Sequence, residues 1–228
     1  MMNTNLCLPL LASITVIVNS GLSQKVKKIA SKKGALGFTI VLCKGTVKNK
    51  LLDLLGIGDN RRELIFILCE RYMAIEIINE IGKELDFHKN YTGIAFSTDI
   101  SDVMGAHTLS KVNCNEISDF EYEKKEEQIM YNAIYVVVDK GRANEVIEIS
   151  EKLGILGGTI FNARGSGIHE TSKLFHMDVE PEKEVVLIIT NESQTQKIAE
   201  GIVDSLELNT PGNGLLYIQK IDNVIGLF

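Results

Sequence analysis

Residues 154–170 read G-I-L-G-G-T-I-F-N-A-R-G-S-G-I-H-E, and this stretch decides the fold. Apolar residues at helical spacing precede it and stop at Gly154, as a helix does at a glycine C-cap. Thr159, Ile160 and Phe161 are β-branched or aromatic and continue as a strand. Arg164-Gly165-Ser166-Gly167 then opens a loop. Gly154, Gly157 and Gly158 supply positive φ or close backbone approach. Gly165 and Gly167 leave successive backbone N–H groups able to point at an anion. The stretch is a scaffold joint that delivers a loop.

A weaker form occurs earlier, over 34–46, where Gly34, Gly37 and Gly45 precede Gly154, Gly157 and Gly165 by 120 positions. Beyond the loop the offset becomes 121, pairing Glu63 with Glu184, Ile81 with Ile202, Gly93 with Gly214 and Gly105 with Gly226. The extra residue falls in the loop, where added length costs least. The chain therefore reads as a tandem duplication, with a leader at 1–12, a first domain at 13–105, an acidic connector at 106–131 and a second domain at 132–228. A period this long exceeds the roughly 20–50 residues of solenoid repeats and means two domains.

With 45% hydrophobic and 24% charged residues among 228, the composition is that of a globular protein. The first domain carries 13 Lys+Arg against 10 Asp+Glu, and the second carries 8 against 14. No segment is basic enough for a nucleic-acid footprint, and none is apolar over the roughly 20 residues that span a bilayer. The run 6–18 lacks a basic start, and its residues 14–18 align with the strand at 134–138, so it reads as leader and strand rather than a signal peptide. Cys7, Cys43, Cys69 and Cys114 show no ligand spacing and read as reduced cytoplasmic thiols.

In order, each domain offers strand, helix, strand, loop, strand, helix, strand: 13–18, a helix from 21 to 34, 38–43, 63–69, 73–85 and 94–99, then 134–138, 142–153, 159–161, 184–190, 193–207 and 215–219. This β-α-β-β-α-β pattern predicts an α+β fold of tandem ferredoxin-like domains with antiparallel sheets. Two helices cover only one face of such a sheet, so the other should alternate with polar residues. Instead Val136-Val137-Val138, 185–189 and 64–68 are apolar at every position. Both faces must be buried, which predicts sheet packed on sheet, between repeats or between chains.

The helix ending in G-x-x-G-G-T, the strand into a Gly-x-Gly loop, the apolar strand after Pro181-Glu182-Lys183-Glu184, the turn Gly212-Asn213-Gly214 and the closing Val224-Ile225-Gly226 resemble the PII (nitrogen-regulatory) signal-transduction superfamily. The resemblance covers nearly all of the second repeat and the first more faintly. It implies a homotrimer and small-molecule sensing in clefts between subunits, where the loop after the second strand meets the turn before the fourth. It also implies regulation of a partner protein through that loop, without enzymatic activity. ATP-binding members place a lysine just after the last glycine turn and arginines near the C-terminus; here Leu215-Leu216 and Gly226-Leu227-Phe228 stand instead. The loop 165–182 contains no tyrosine, so tyrosine modification there is excluded.

Candidate ligand-binding residues are Gly157, Gly158, Thr159, Arg164, Gly165, Ser166, Gly167, His169, Glu170, Gly212, Asn213 and Gly214, with Lys44, Gly45 and Thr46 in the first repeat. Arg164 or Lys44 beside unpaired amides suits one phosphate or carboxylate; a glycine turn flanked by a solvated base is the structural alternative. His169, Glu170 and His176 suit a ligand polar group or a metal, or are plain surface. No nucleophile with a base and no carboxylate pair in an apolar pocket is present. Three functions remain open: a sensor of an anionic metabolite or adenine nucleotide (ATP, ADP, AMP or cyclic AMP), a ligand-free regulatory adaptor, and a metal-binding trimer akin to cation-tolerance proteins.

Overall fold

A computed structural model of the chain describes residues 11–46, 60–101, 130–165, 172–174, 177–179 and 181–227, with the backbone alone at 172–174 and 177–179. Two compact units emerge, neither of them a continuous stretch of sequence. Unit one takes the chain up to 40, 64–129 and 222–228; unit two takes 41–63 and 130–221.

The first half of the chain forms β1 (Leu11–Asn19), α1 (Ser23–Lys32), β2 (Gly37–Gly45), β3 (Arg61–Glu70), α2 (Ala74–Glu84) and β4 (Gly93–Ile100). The second forms β5 (Tyr131–Asp139), α3 (Ala143–Lys152), β6 (Thr159–Arg164), β7 (Ser172–Leu174), β8 (Met177–Val179), β9 (Glu182–Asn191), α4 (Glu192–Ser205) and β10 (Leu215–Ile225). Leu11 and Ala12, expected in the leader, are the first residues of β1. Residues 1–10 and 102–129, which hold the rest of the leader and most of the connector, lie outside the described residues.

In unit one the strand order is β2-β3-β1-β4, with the end of β10 beyond β4. In unit two it is β6-β9-β5-β10, with the end of β2 beyond β6. Both are the antiparallel order of a ferredoxin-like α+β fold, in which the two helices cross one face of the sheet. Alternate strand residues meet those helices. Ile14, Val16, Val18, Ile65 and Ile67 pack with Val26, Ala30, Ile77, Ile78 and Ile81 in unit one. Ile134, Val136, Val138, Val186 and Ile188 pack with Val146, Ile147, Ile198, Ile202 and Leu206 in unit two. The intervening residues are buried as well: Ile17, Leu64 and Phe96 in unit one, and Ala133, Tyr135, Val185 and Leu187 in unit two. Both faces of β1, β3, β5 and β9 are thus withdrawn from water, as the unbroken apolar runs predict, whereas β2 and β10 leave Leu42, Leu215 and Tyr217 exposed.

Local signals place the helix ends. Gly34 and Gly154 follow α1 and α3 at φ +86° and +99°, a left-handed conformation that a Cβ disfavours. Asn191 caps α4 by accepting a hydrogen bond from the Ser193 amide at 2.9 Å. Two spans differ from expectation. The loop at 165–182 contains the β7–β8 hairpin, with Ser172 opposite Val179. The last strand runs six residues past Gln219, because Asp222 and Ile225 pair with Ser97 and Ala95 of β4.

Candidate functional site

Strand register sorts the candidate residues of unit two into two groups. Phe161 lies opposite Val185, Val185 opposite Val137, and Val137 opposite Leu215. The end of β6 and the turn that leads into β10 therefore share one end of the sheet. Arg164, Gly165 and Gly212-Asn213-Gly214 gather there, with β6 and β10 separated by about 14 Å across three strand spacings. Gly157, Gly158 and Thr159 sit at the other end of β6, about 17 Å from Arg164. Sequence reasoning treated these as one set; the pleated strand between them keeps them apart.

At the Thr159 end, the first-repeat candidates meet the second-repeat ones. Lys44 pairs with Ile160 and Gly45 with Thr159. Thr46 donates its backbone N–H to the Gly158 carbonyl at 3.0 Å, and its Oγ1 accepts from the Gly158 N–H at 2.6 Å. Gly45 donates to the Asn60 carbonyl at 2.8 Å. These amides are spent on strand pairing, and the exposed side chain of Lys44 lies beside the exposed Asn60 and Arg61. Gly158 is a close approach: a Cβ would stand 3.0 Å from the Leu187 carbonyl oxygen and 3.1 Å from Ile147 Cδ1.

The Arg164 end is a charge network. Arg164, expected to open the loop, is the last residue of β6 and lies opposite Glu182. Glu182 accepts from the Lys140 ammonium. Lys140, first by hydrogen bond and then by charge, holds the Glu182 carboxyl below its ordinary pKa, and Arg164 adds to the effect. The largely buried Lys183 donates to Asp139 at 2.7 Å, and Arg142 donates to Glu145 at 3.2 Å. Glu184 Oε2 accepts from the Gly141 and Ala143 amides at 3.0 Å each. That carboxylate occupies the start of α3, where the helix dipole and free amides would otherwise attract an external anion. The cations are matched by the chain's own carboxylates, so an incoming phosphate must displace or recruit one of these groups. Gly165 donates its N–H to the Pro181 carbonyl at 3.2 Å. The sequence signal for this network is the charged clusters 139–142 and 182–184, whose pairing charge alone does not reveal.

The glycine turn is held from within. Gly212 and Gly214 adopt φ +92° and +125°. Asn213 Nδ2 donates to the Glu207 carbonyl at 3.0 Å and the Leu206 carbonyl at 3.4 Å, closing the C-terminal end of α4. Ser166, Gly167, His169, Glu170 and His176 lie outside the described residues, as do Lys48, Asn49 and Lys50 of the first repeat. Among the described residues no group of three or more His, Cys, Asp or Glu side chains suits a metal ion, and no helix is long and apolar enough to cross a membrane. Cys43 and Cys69 are buried free thiols; burial pushes their pKa values up to about 11 and about 12, which makes them poor nucleophiles.

A four-stranded antiparallel sheet under two helices, with a long loop and a glycine turn at one end, defines an α+β domain of ferredoxin-like type. Residues 131–227 match the family model described as nitrogen regulatory protein P-II. Similar solved structures include B. subtilis GlnK in its ATP complex, at 16% identity and TM-score 0.33, covering 41% of this chain and 84% of that one. B. subtilis GlnK also matches at 16% identity and TM-score 0.31, covering 40% of this chain and 84% of that one. Arabidopsis thaliana PII bound to citrate matches at 19% identity and TM-score 0.33, covering 41% and 78%. No match is found among curated proteins.

Proposed function

We propose that the chain is a regulatory, non-enzymatic PII-type protein built from two tandem PII-type domains. In this reading it assembles as a homotrimer, senses a small anionic metabolite or adenine nucleotide in inter-subunit clefts, and controls a partner protein through the loop that follows β6. The carrying observation is the register that brings Arg164 and Gly165 to the same end of the unit-two sheet as Gly212-Asn213-Gly214, within a segment matching the P-II family. Arg164 and Lys140 are the cations for the anion, and Glu182 is the group that must yield to it. The second domain holds the better site, because Arg164 stands at a strand end beside the loop, whereas Lys44 and Gly45 pair along β6.

The test is calorimetric titration with ATP, ADP, AMP and cyclic AMP, with and without magnesium. Saturable binding of one nucleotide is expected, weakened about tenfold or more by Arg164→Ala through loss of a charge-assisted contact. Gly165→Ala should weaken it without harming the fold, since a Cβ there meets nothing within 4 Å. Equal loss on changing Gly45 would sink the division between domains. The engaged Gly165 amide and the self-compensated charges favour a second reading, a regulatory adaptor that works by protein contacts alone. Absence of heat with every nucleotide overturns the nucleotide sensor and favours that reading.

A further inference from the structure

The first helices of the two units carry opposite charge on their water-facing sides. α1 exposes Lys25, Lys27, Lys28 and Lys32, whereas α3 exposes Glu145, Glu148 and Glu151 beside a single Lys152, with Glu145 paired to Arg142. Between α3 and α4 lies an open groove of about 480 Å³, lined by Glu145, Glu148 and Lys152 at its rim and by Ile149, Leu153, Gly201, Ser205 and Leu206. Gly201 keeps the helices close at its base, because a Cβ there would stand 2.7 Å from Leu153 Cδ1. In unit one the space between helices is crossed by Lys33 to Glu76 at 2.6 Å and Lys25 to Glu84 at 3.7 Å. Among the described residues no ion pair joins α3 to α4, and Glu148 has no ion-pair partner.

We infer that the α3–α4 groove of one copy receives the α1 surface of a second copy of this chain. Lys28 and Lys32 lie one turn apart on α1, exposed and in no ion pair among the described residues. Their aliphatic stems fit along Ile149, Leu153 and Leu206 while their ammonium groups reach Glu145 and Glu148. The two surfaces belong to different units, so each copy offers one of each to its neighbours.

The experiment is sedimentation velocity of the full chain at several protein concentrations, in about 0.05 M and about 0.5 M salt, which span strong to weak electrostatic range. The mean mass should rise with concentration at low salt and fall back at high salt. The double variants K28E/K32E and E145K/E148K should each weaken this association about a hundredfold, because like charges then face each other. An equimolar mixture of the two should restore it, since each reversed surface meets an opposite one. Circular dichroism melts matching the wild type establish that both variants are folded; any fixed oligomer held by another interface persists in both and serves as the baseline. A wild-type mass independent of concentration and salt overturns the inference. So do folded variants that associate like wild type, or a mixture that fails to recover.

Discussion

Gly214 shows how one residue holds a turn in place. Its φ of +125° already excludes most side chains, and a Cβ would stand 2.3 Å from the Val137 carbonyl oxygen. Backbone on both sides leaves nothing flexible to yield. Gly214→Ala should therefore cost about 3 kcal/mol, at the upper end for a strained backbone position. Gly21→Ala has φ +91° but nothing within 4 Å of its Cβ, and should cost about 1 kcal/mol from conformation alone. Urea denaturation of both variants checks the difference; equal losses would remove the steric argument. Arg164, by contrast, owes its position to a strand: pairing with β9 sets it opposite Glu182.

At the scale of elements, the ends of strands carry the charge chemistry. The far end of β10 places the Asp222 carboxyl where burial raises its pKa, with the Asp99 charge adding and Arg71 opposing. Arg71 is itself 2.7 Å from Asp99. A carboxyl with a raised folded pKa binds its proton more tightly in the native state. Asp222 therefore takes away stability as pH rises through the ordinary carboxyl range up to the raised value. Asp222→Asn removes that loss and should be modestly more stable than wild type at pH 7, with the gap closing in acid, where both side chains are neutral. Urea midpoints across pH check it, and a gap that persists in acid would mean another cause. Glu182 behaves oppositely. Its lowered pKa contributes stability above the carboxyl range, and that contribution is lost as pH falls through the folded value.

At the scale of the whole molecule, each unit is completed by chain from the other half of the sequence. Ile225 comes from the C-terminal end and packs against the unit-one core. A Cβ on Gly82 would stand 2.4 Å from Ile225 Cδ1, so the glycine in α2 makes room for that side chain. Gly226 follows at φ +85°, where a Cβ would fall 2.1 Å from the Gly93 carbonyl oxygen. Ile225→Ala should lower stability by about 2 kcal/mol, the low end for a large-to-small change because the site is partly exposed. Denaturation followed by a probe on unit one should register the loss. An unchanged midpoint would mean that the tail does not support that core.

Much of the fold could be read from residue order. Runs such as 185–189 fixed where strands lie and that both faces are buried, because burial depends on side-chain type and a period of two. Gly34 and Gly154 marked helix ends, because positive φ is a local property of the backbone. The end of β2 beside β6, the end of β10 beside β4, and the hairpin within 165–182 were not legible, because strand edges pair through backbone groups that every residue carries. The candidate site divided along the same line. Glycine turns and nearby cations were visible as residue types. Only the tertiary structure decided that β6 separates Thr159 from Arg164, that Thr46 consumes the Gly158 amide, and that Glu184 fills the start of α3, because each depends on contacts between residues tens of positions or more apart in sequence.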